Sequence, residues 1–379
     1  MPARVAVLMG TRPEAIKMAP VVAALRASEK LLPVVINAGQ HREMIQQVIE
    51  LFGIQVDTEL DVMLPNQSLA QLTARLVERI DAALAELQPD VVLVQGDTTT
   101  VFCAALASFY RRIPVGHVEA GLRTGNMDSP FPEEANRRLT SPLVRWHYAP
   151  TERARQALLA EGICESSVLV TGNTVIDALL MELARQREPA VQREITERLD
   201  PLVGSGWRQC EFLLVTGHRR ENFGDGFEEI CTALEMLAQR FPEMLVIYPV
   251  HLNPNVRDTV HRRLGALRNI RLIEPLPYSE FVALAAACRL ILTDSGGVQE
   301  EAPTLGKPVL VMRDTTERPE GITAGSVKLV GAQADRIFAE AARLLTDPSA
   351  YEKMANRSNP YGDGQAARRI VEHLSGNLG

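Results

Sequence analysis

Short apolar runs alternate with amphipathic helical stretches along this chain, and the alternation occurs twice, which limits the possible folds more than any other feature. Runs at Val5–Met9, Val34–Asn37, Val91–Gln95, Val115–Glu119, Trp146–Ala149 and Val168–Thr171 are apolar at successive positions, as strands covered on both faces must be. Helical patterns fill the gaps at Pro13–Ala27, Arg42–Phe52, Ser68–Leu87, Thr98–Tyr110, Pro132–Val144 and Thr151–Glu161. A second set of runs follows at Phe212–Thr216, Leu245–Tyr248, Ile270–Ile273, Leu290–Thr293, Val309–Met312 and Val327–Val330, and the tail from Gln333 reads as helix. Strand and helix in alternation predict parallel sheets, so the expected class is α/β, with two Rossmann-like domains whose strand ends face a central cleft. The expected division is residues 1–175 and 176–359. The charged stretch from Asp177 to Cys210, closed by Val203-Gly204-Ser205-Gly206, reads as the connector.

Composition fits this picture. The chain has 379 residues, 46% of them hydrophobic, enough for two cores. A formal charge of −7 argues against nucleic acid as the main partner. Five scattered cysteines, Cys103, Cys164, Cys210, Cys231 and Cys288, form no C-x-x-C pair, which suits reduced thiols in a cytoplasmic protein. No apolar run approaches the ~20 residues of a membrane span.

In such sheets, chemistry collects where strands end. Leu290 to Glu301, LILTDSGGVQEE, reads as a buried strand, a glycine turn, and a helix from about Val298 to Leu305 ended by Gly306. Ser295, Gly296 and Gly297 look like a diphosphate cradle at a helix start, with Glu301 placed to grip a ribose. The alternative is an ordinary βα turn with small residues for clearance. Arg12 and Lys17, after the first strand, read either as phosphate partners or as surface cations of a first helix. There is no G-x-G-x-x-G and no P-loop motif, so a nicotinamide cofactor is not supported.

Three acids stand near strand ends or helix starts. Asp97 is placed either as an N-cap or as a functional acid, and Glu119 has no obvious structural task. Glu133 and Glu134 suit a helix N-terminus electrostatically. Together, Asp97, Glu119 and Glu133 would crowd one pocket and raise some of their pKa values. His117 and Glu119 share a strand face and form a weak metal-binding alternative. In the second half, His218 follows a strand in the company of Arg219 and Arg220 and reads as an anion contact. Arg313 and Arg318 are offered to a ligand at Ser295.

Seven stretches carry a family resemblance: GTRPE at 10–14, QGDTTT at 95–100, HVEAGLRTG at 117–125, PEEANR at 132–137, GHRREN at 217–222, TDSGGVQEEAP at 293–303 and RDTTERPE at 313–320. In this order they resemble the non-hydrolysing bacterial UDP-N-acetylglucosamine 2-epimerases. The resemblance implies the GT-B fold, a last helix (about 360–379) that packs back on the first domain, and a homodimer without metal or cofactor. It implies interconversion of UDP-GlcNAc and UDP-ManNAc through 2-acetamidoglucal, supplying activated ManNAc for surface polysaccharide. Asp97, Glu119 and Glu133 match the family's catalytic acids, and His218 joins this set through its grip on the departing UDP. Arg12, Lys17, Phe281, Ser295, Gly296, Gly297, Glu301 and Arg318 match its nucleotide contacts. Gln40 and His41 match a site where many members bind a second UDP-GlcNAc as activator, although Glu43 stands where some have glutamine. Leu276 likewise replaces a glutamine near the uracil. Competing readings are a GT-B glycosyltransferase, which needs no base at C2, a hydrolysing epimerase, and a catalytically silent sensor of sugar nucleotides.

Overall fold

The computed structural model describes residues 1–39 and 42–378. The chain falls into two compact units, Met1–Ala178 together with the segment from Tyr361 onward, and Leu179–Pro360.

The first unit holds seven strands: β1 (Ala3–Met9), β2 (Leu31–Asn37), β3 (Thr58–Glu59), β4 (Val91–Gln95), β5 (Val115–Val118), β6 (Trp146–Ala149) and β7 (Val168–Val170). The second holds six: β8 (Phe212–Thr216), β9 (Leu245–Pro249), β10 (Ile270–Ile273), β11 (Leu290–Thr293), β12 (Val309–Val311) and β13 (Val327–Leu329). All pairings are parallel. Their orders are β3-β2-β1-β4-β5-β6-β7 and β10-β9-β8-β11-β12-β13. Only β3 escaped the sequence pattern, because two residues carry no periodicity.

Each sheet is covered on both faces, which is why its strands are continuously apolar. In β8, Leu213 and Val215 face a core with Phe227, Ile230 and Leu234 of the helix Asp225–Arg240. The intervening Phe212 and Leu214 face a second core with Leu284 and the helix Pro189–Val203. That helix corrects the expected connector. Ile195, Leu199 and Val203 form an apolar stripe at four-residue spacing, and with Trp207 they are buried in the second unit. The surrounding charges masked the stripe. The chain passes between the units within the helix Thr174–Arg185.

The last helix, Ala366–Asn377, belongs to the first unit. Asp177 accepts the amides of Ala366 and Ala367 (3.3 and 2.9 Å), two donors that a helix start leaves unsatisfied. His373 meets the Tyr148 hydroxyl at 3.1 Å.

Both sheets change direction at one place, between β1 and β4 in the first unit and between β8 and β11 in the second. Loops at the carboxyl ends of such strand pairs are where open α/β sheets bind ligands. The four loops at these positions contain residues 10–14, 95–100, 217–222 and 293–297. No helix among the described residues is long and apolar enough to cross a membrane.

Candidate active site

In the first unit, β1 leads through Gly10 into the helix Arg12–Arg26, with Thr11 at its N-cap. Glu14, 3% exposed, accepts the amides of Gly10 (2.7 Å) and Thr11 (2.8 Å) and the hydroxyl of Thr98 (2.5 Å). One carboxyl thus ties the loop after β1 to the loop after β4. Burial raises its pKa, although these hydrogen bonds pull the other way. A turn further on, buried Lys17 forms an ion pair with Glu119. Arg12 opens the same helix and is half-buried.

Glu119 does not continue β5 as expected. Its φ of +65° takes it out of the strand into the left-handed region, which costs a side-chain-bearing residue on the order of 1 kcal/mol. The turn places its Oε2 against Lys17 and 2.8 Å from Nε2 of Gln95, at the end of β4. His117 goes elsewhere. Its Nε2 meets the Gly96 carbonyl at 2.7 Å, and burial pushes its pKa down to about 4. The pair therefore shares no metal-binding face, and no group of three His, Cys, Asp or Glu side chains among the described residues is arranged to hold a metal.

Asp97 is not an N-cap. Thr98 caps the helix Thr99–Tyr110, accepting the Val101 amide at 3.4 Å. Asp97 instead receives Nε (2.9 Å) and Nη2 (2.6 Å) of Arg137. The expectation of three mutually repelling carboxylates left out these cations, since Asp97 faces Arg137 and Glu119 faces Lys17. Glu133 opens the helix Glu133–Thr140 and is half-buried. The neighbour beside it, Glu134, is fully buried, bonded to Arg137 and to the amides of Thr124 and Gly125. Those donors hold its pKa low against the opposing effect of burial.

In the second unit, β11 leads directly into Asp294, which is fully buried. It accepts the amides of His218 (2.9 Å) and Arg219 (2.9 Å) and Nδ2 of Asn222 (3.3 Å), fixing the loop after β8 to that after β11. His218 Nδ1 lies 3.3 Å from the same carboxylate, and its ring stacks on His251 at 5.7 Å. Burial lowers the His218 pKa, and Asp294 opposes this.

Ser295 sits at the N-cap of the helix Gly296–Glu301, two residues earlier than the sequence suggests. Gly306, at φ +65°, ends the 3-10 turn that follows. Arg318 lies across Gly296 and donates Nε to Glu300 at 2.6 Å. Glu301 receives the Tyr278 hydroxyl at 2.6 Å and borders a small apolar cavity with Phe281.

Arg313 is not available to a ligand there. Its side chain is 5% exposed and engaged with Glu221 and Glu317. Gln40 and His41 lie outside the described residues.

Sequence reasoning passed over Glu14, Arg137, Asp294 and Glu300. Each lies inside a stretch that carried the resemblance, and that was the available signal. Their partners lie 18 to 84 residues away for the most part, as with Glu300–Arg318 and Glu14–Thr98.

Two doubly wound parallel sheets, with charged loops at both switch points, make this an α/β protein of the GT-B type. The family model described as UDP-N-acetylglucosamine 2-epimerase matches residues 23–375, and the chain belongs to that family. The UDP-N-acetylglucosamine 2-epimerase of Escherichia coli (strain K12) is 53% identical over 374 residues, 99% of each chain. That of Bacillus subtilis (strain 168) is 48% identical over 371 residues, covering 98% of this chain and 94% of the relative. The crystal structure of UDP-GlcNAc 2-epimerase from Neisseria meningitidis bound to UDP-GlcNAc matches with a TM-score of 0.92 at 49% identity. It covers 98% of this chain and 99% of that one.

Proposed function

We propose that this chain interconverts UDP-N-acetylglucosamine and UDP-N-acetylmannosamine by eliminating UDP and adding it back. One observation carries the reading. A chain about half identical end to end to enzymes named for this activity carries Arg12 and Asp97 in the loops at one switch point and His218 and Ser295 in those at the other.

The C2 proton of an N-acetyl sugar is barely acidic, and a carboxylate does not remove it unaided. Departure of UDP first leaves an oxocarbenium-like C1, which acidifies the neighbouring C–H until a carboxylate suffices. In this scheme Arg12, Lys17, His218, Arg318 and the Ser295-Gly296-Gly297 turn hold the leaving UDP, with Phe281 and Glu301 on its nucleoside. Asp97, Glu119 and Glu133 share removal and return of the proton. Inversion needs transfer on opposite faces of C2, so more than one acid or a moving intermediate is required. We further assign the first domain to residues 1–175 with the last helix, and the second to residues 176–359. The same reading includes a cytoplasmic homodimer, with Gln40 and His41 at an activating second UDP-GlcNAc site.

The test is incubation with UDP-GlcNAc in D₂O without acceptor, followed by NMR at C2. Deuterium at C2 of intact UDP-sugars is the expected result. Free ManNAc indicates a hydrolysing enzyme instead. No exchange and no product would overturn both, leaving a transferase or a sensor.

A further inference from the structure

Resting on the epimerase reading, we propose that Arg137 is a positioning residue for the reaction, holding Asp97 by one carboxylate oxygen so that the other is presented to the substrate. The hydrogen bonds are unusually one-sided. Nε and Nη2 of Arg137 both go to Oδ2 of Asp97, at 2.9 and 2.6 Å. A guanidinium facing a carboxylate squarely would occupy both oxygens, one nitrogen to each. Here Oδ1 accepts no hydrogen bond among the described residues, and the Asp97 side chain keeps 27% of its surface exposed.

The clamp is itself fixed at three points. Asn136, next to Arg137, donates Nδ2 to the Asp97 carbonyl at 3.0 Å, so consecutive residues of one helix grip both the backbone and the side chain of Asp97. Nη1 of Arg137 goes to Oε2 of Glu134 at 2.9 Å. Glu134, fully buried, is in turn anchored by the amides of Thr124 (3.1 Å) and Gly125 (3.2 Å). Arg137 is 6% exposed and cannot swing out to solvent without breaking its bonds to both Asp97 and Glu134.

Such an arrangement matters for a base that must meet one C–H and release the proton again. Proton transfer requires the carboxylate within about 3 Å of the carbon-bound proton's path, and misplacement by about 1 Å costs on the order of 10²-fold in rate. A carboxylate held by both oxygens is immobile but occupied, and one held by neither swivels about its Cβ–Cγ bond. Holding Oδ2 alone avoids both faults.

The experiment compares wild type, Arg137→Ala, Arg137→Lys and Asp97→Asn in the C2 deuterium-exchange assay, with and without added guanidinium. The expected result for Arg137→Ala is a fall in kcat of about 10²-fold with KM nearly unchanged, because substrate binding does not pass through this pair. Added guanidinium should restore about tenfold of that loss in Arg137→Ala and nothing in Asp97→Asn. Arg137→Lys keeps the charge but lacks the planar fork, and should remain below wild type. Unchanged kcat in Arg137→Ala overturns the inference. So does a loss that guanidinium does not relieve and that comes with a lowered melting temperature, since this marks a brace for the 124–125 loop and nothing more. Absence of C2 exchange in the wild type would overturn the epimerase reading and this inference with it. Normal exchange in both wild type and Arg137→Ala overturns this inference alone.

Discussion

The guanidinium of Arg318 occupies the space that any side chain on Gly296 would need: a Cβ built there would lie 2.5 Å from Nη1 and 2.6 Å from Cζ. Glu300 holds the guanidinium in that place through Nε, at 2.6 Å. Gly296→Ala therefore displaces a flexible side-chain end and leaves the fold intact. If Arg318 contacts the phosphates of UDP, its displacement weakens UDP binding by on the order of tenfold, the scale of one charge-assisted hydrogen bond. Calorimetric titration with UDP checks this, and wild-type affinity in Gly296→Ala would remove Arg318 from the site. Gly297 supplies the control. A Cβ there meets nothing within 4 Å, so Gly297→Ala should fold normally, and lost UDP affinity would mark direct contact with the ligand.

Glu119 gives the second prediction. The residue tolerates a left-handed backbone and is held by Lys17 and Gln95 through the same oxygen, Oε2. Strain kept at a non-glycine position is typical of functional sites. Glu119→Gln preserves shape and removes the proton acceptor, so turnover should fall by roughly 10²-fold or more, with UDP affinity largely retained. Near-normal turnover in the NMR assay would take Glu119 out of proton transfer.

Much of this architecture was legible in the sequence because a strand buried on both faces is apolar at every position. Of the thirteen strands, only β3 went unread, and it spans two residues. Where the reading failed, the cause was pairing at a distance. The helix Pro189–Val203 looked like a linker because its charges outnumber the three apolar residues of the stripe, Ile195, Leu199 and Val203, and only the core it meets gives that stripe meaning. Asp97 looked like a cap because its partner Arg137 lies 40 residues on. Arg313 looked like a ligand contact because Glu221, 92 residues earlier, was not visible as its partner. Motifs named the loops, but the ion pairs within them required coordinates.

Arg313 leads to a prediction that separates structure from binding. Its side chain joins Glu317, four residues on, and Glu221 from the loop after β8. Removing one member of a largely buried ion pair costs on the order of 3 kcal/mol. Arg313→Met should therefore lose about that much unfolding free energy while binding UDP normally, whereas Arg318→Met, which also removes the cation facing buried Glu300, should lose UDP affinity as well as stability. The pH dependence adds a check. Burial tends to raise the Glu317 carboxyl, but Arg313 outweighs it and holds the pKa down to about 2. A carboxyl held below its ordinary value stabilises the fold above about pH 4.5, and this stabilisation is lost as pH falls toward 2. The gap between wild type and Arg313→Met should accordingly narrow under acid. A constant gap in denaturant titrations at pH 7 and pH 3 would show that the ion pair is not its source.

His117 predicts a loss of stability at milder pH. The ring is 1% exposed with Nε2 on the Gly96 carbonyl, and burial pushes its pKa from 6.5 to about 4. The unfolded chain therefore binds a proton at a pH where the folded chain does not. Stability contributed by the neutral ring is complete above about pH 6.5 and declines as pH falls toward 4, by on the order of 3 kcal/mol at about 1.4 kcal/mol per unit. His147, buried with its own pKa lowered, adds to the same slope in the wild type, so the diagnostic quantity is a difference between proteins. His117→Gln retains a donor for the Gly96 carbonyl and has nothing to titrate. Its unfolding free energy should fall less steeply between pH 7 and pH 4.5 than that of wild type. Equal slopes for the two proteins would place the acid sensitivity elsewhere in the first unit.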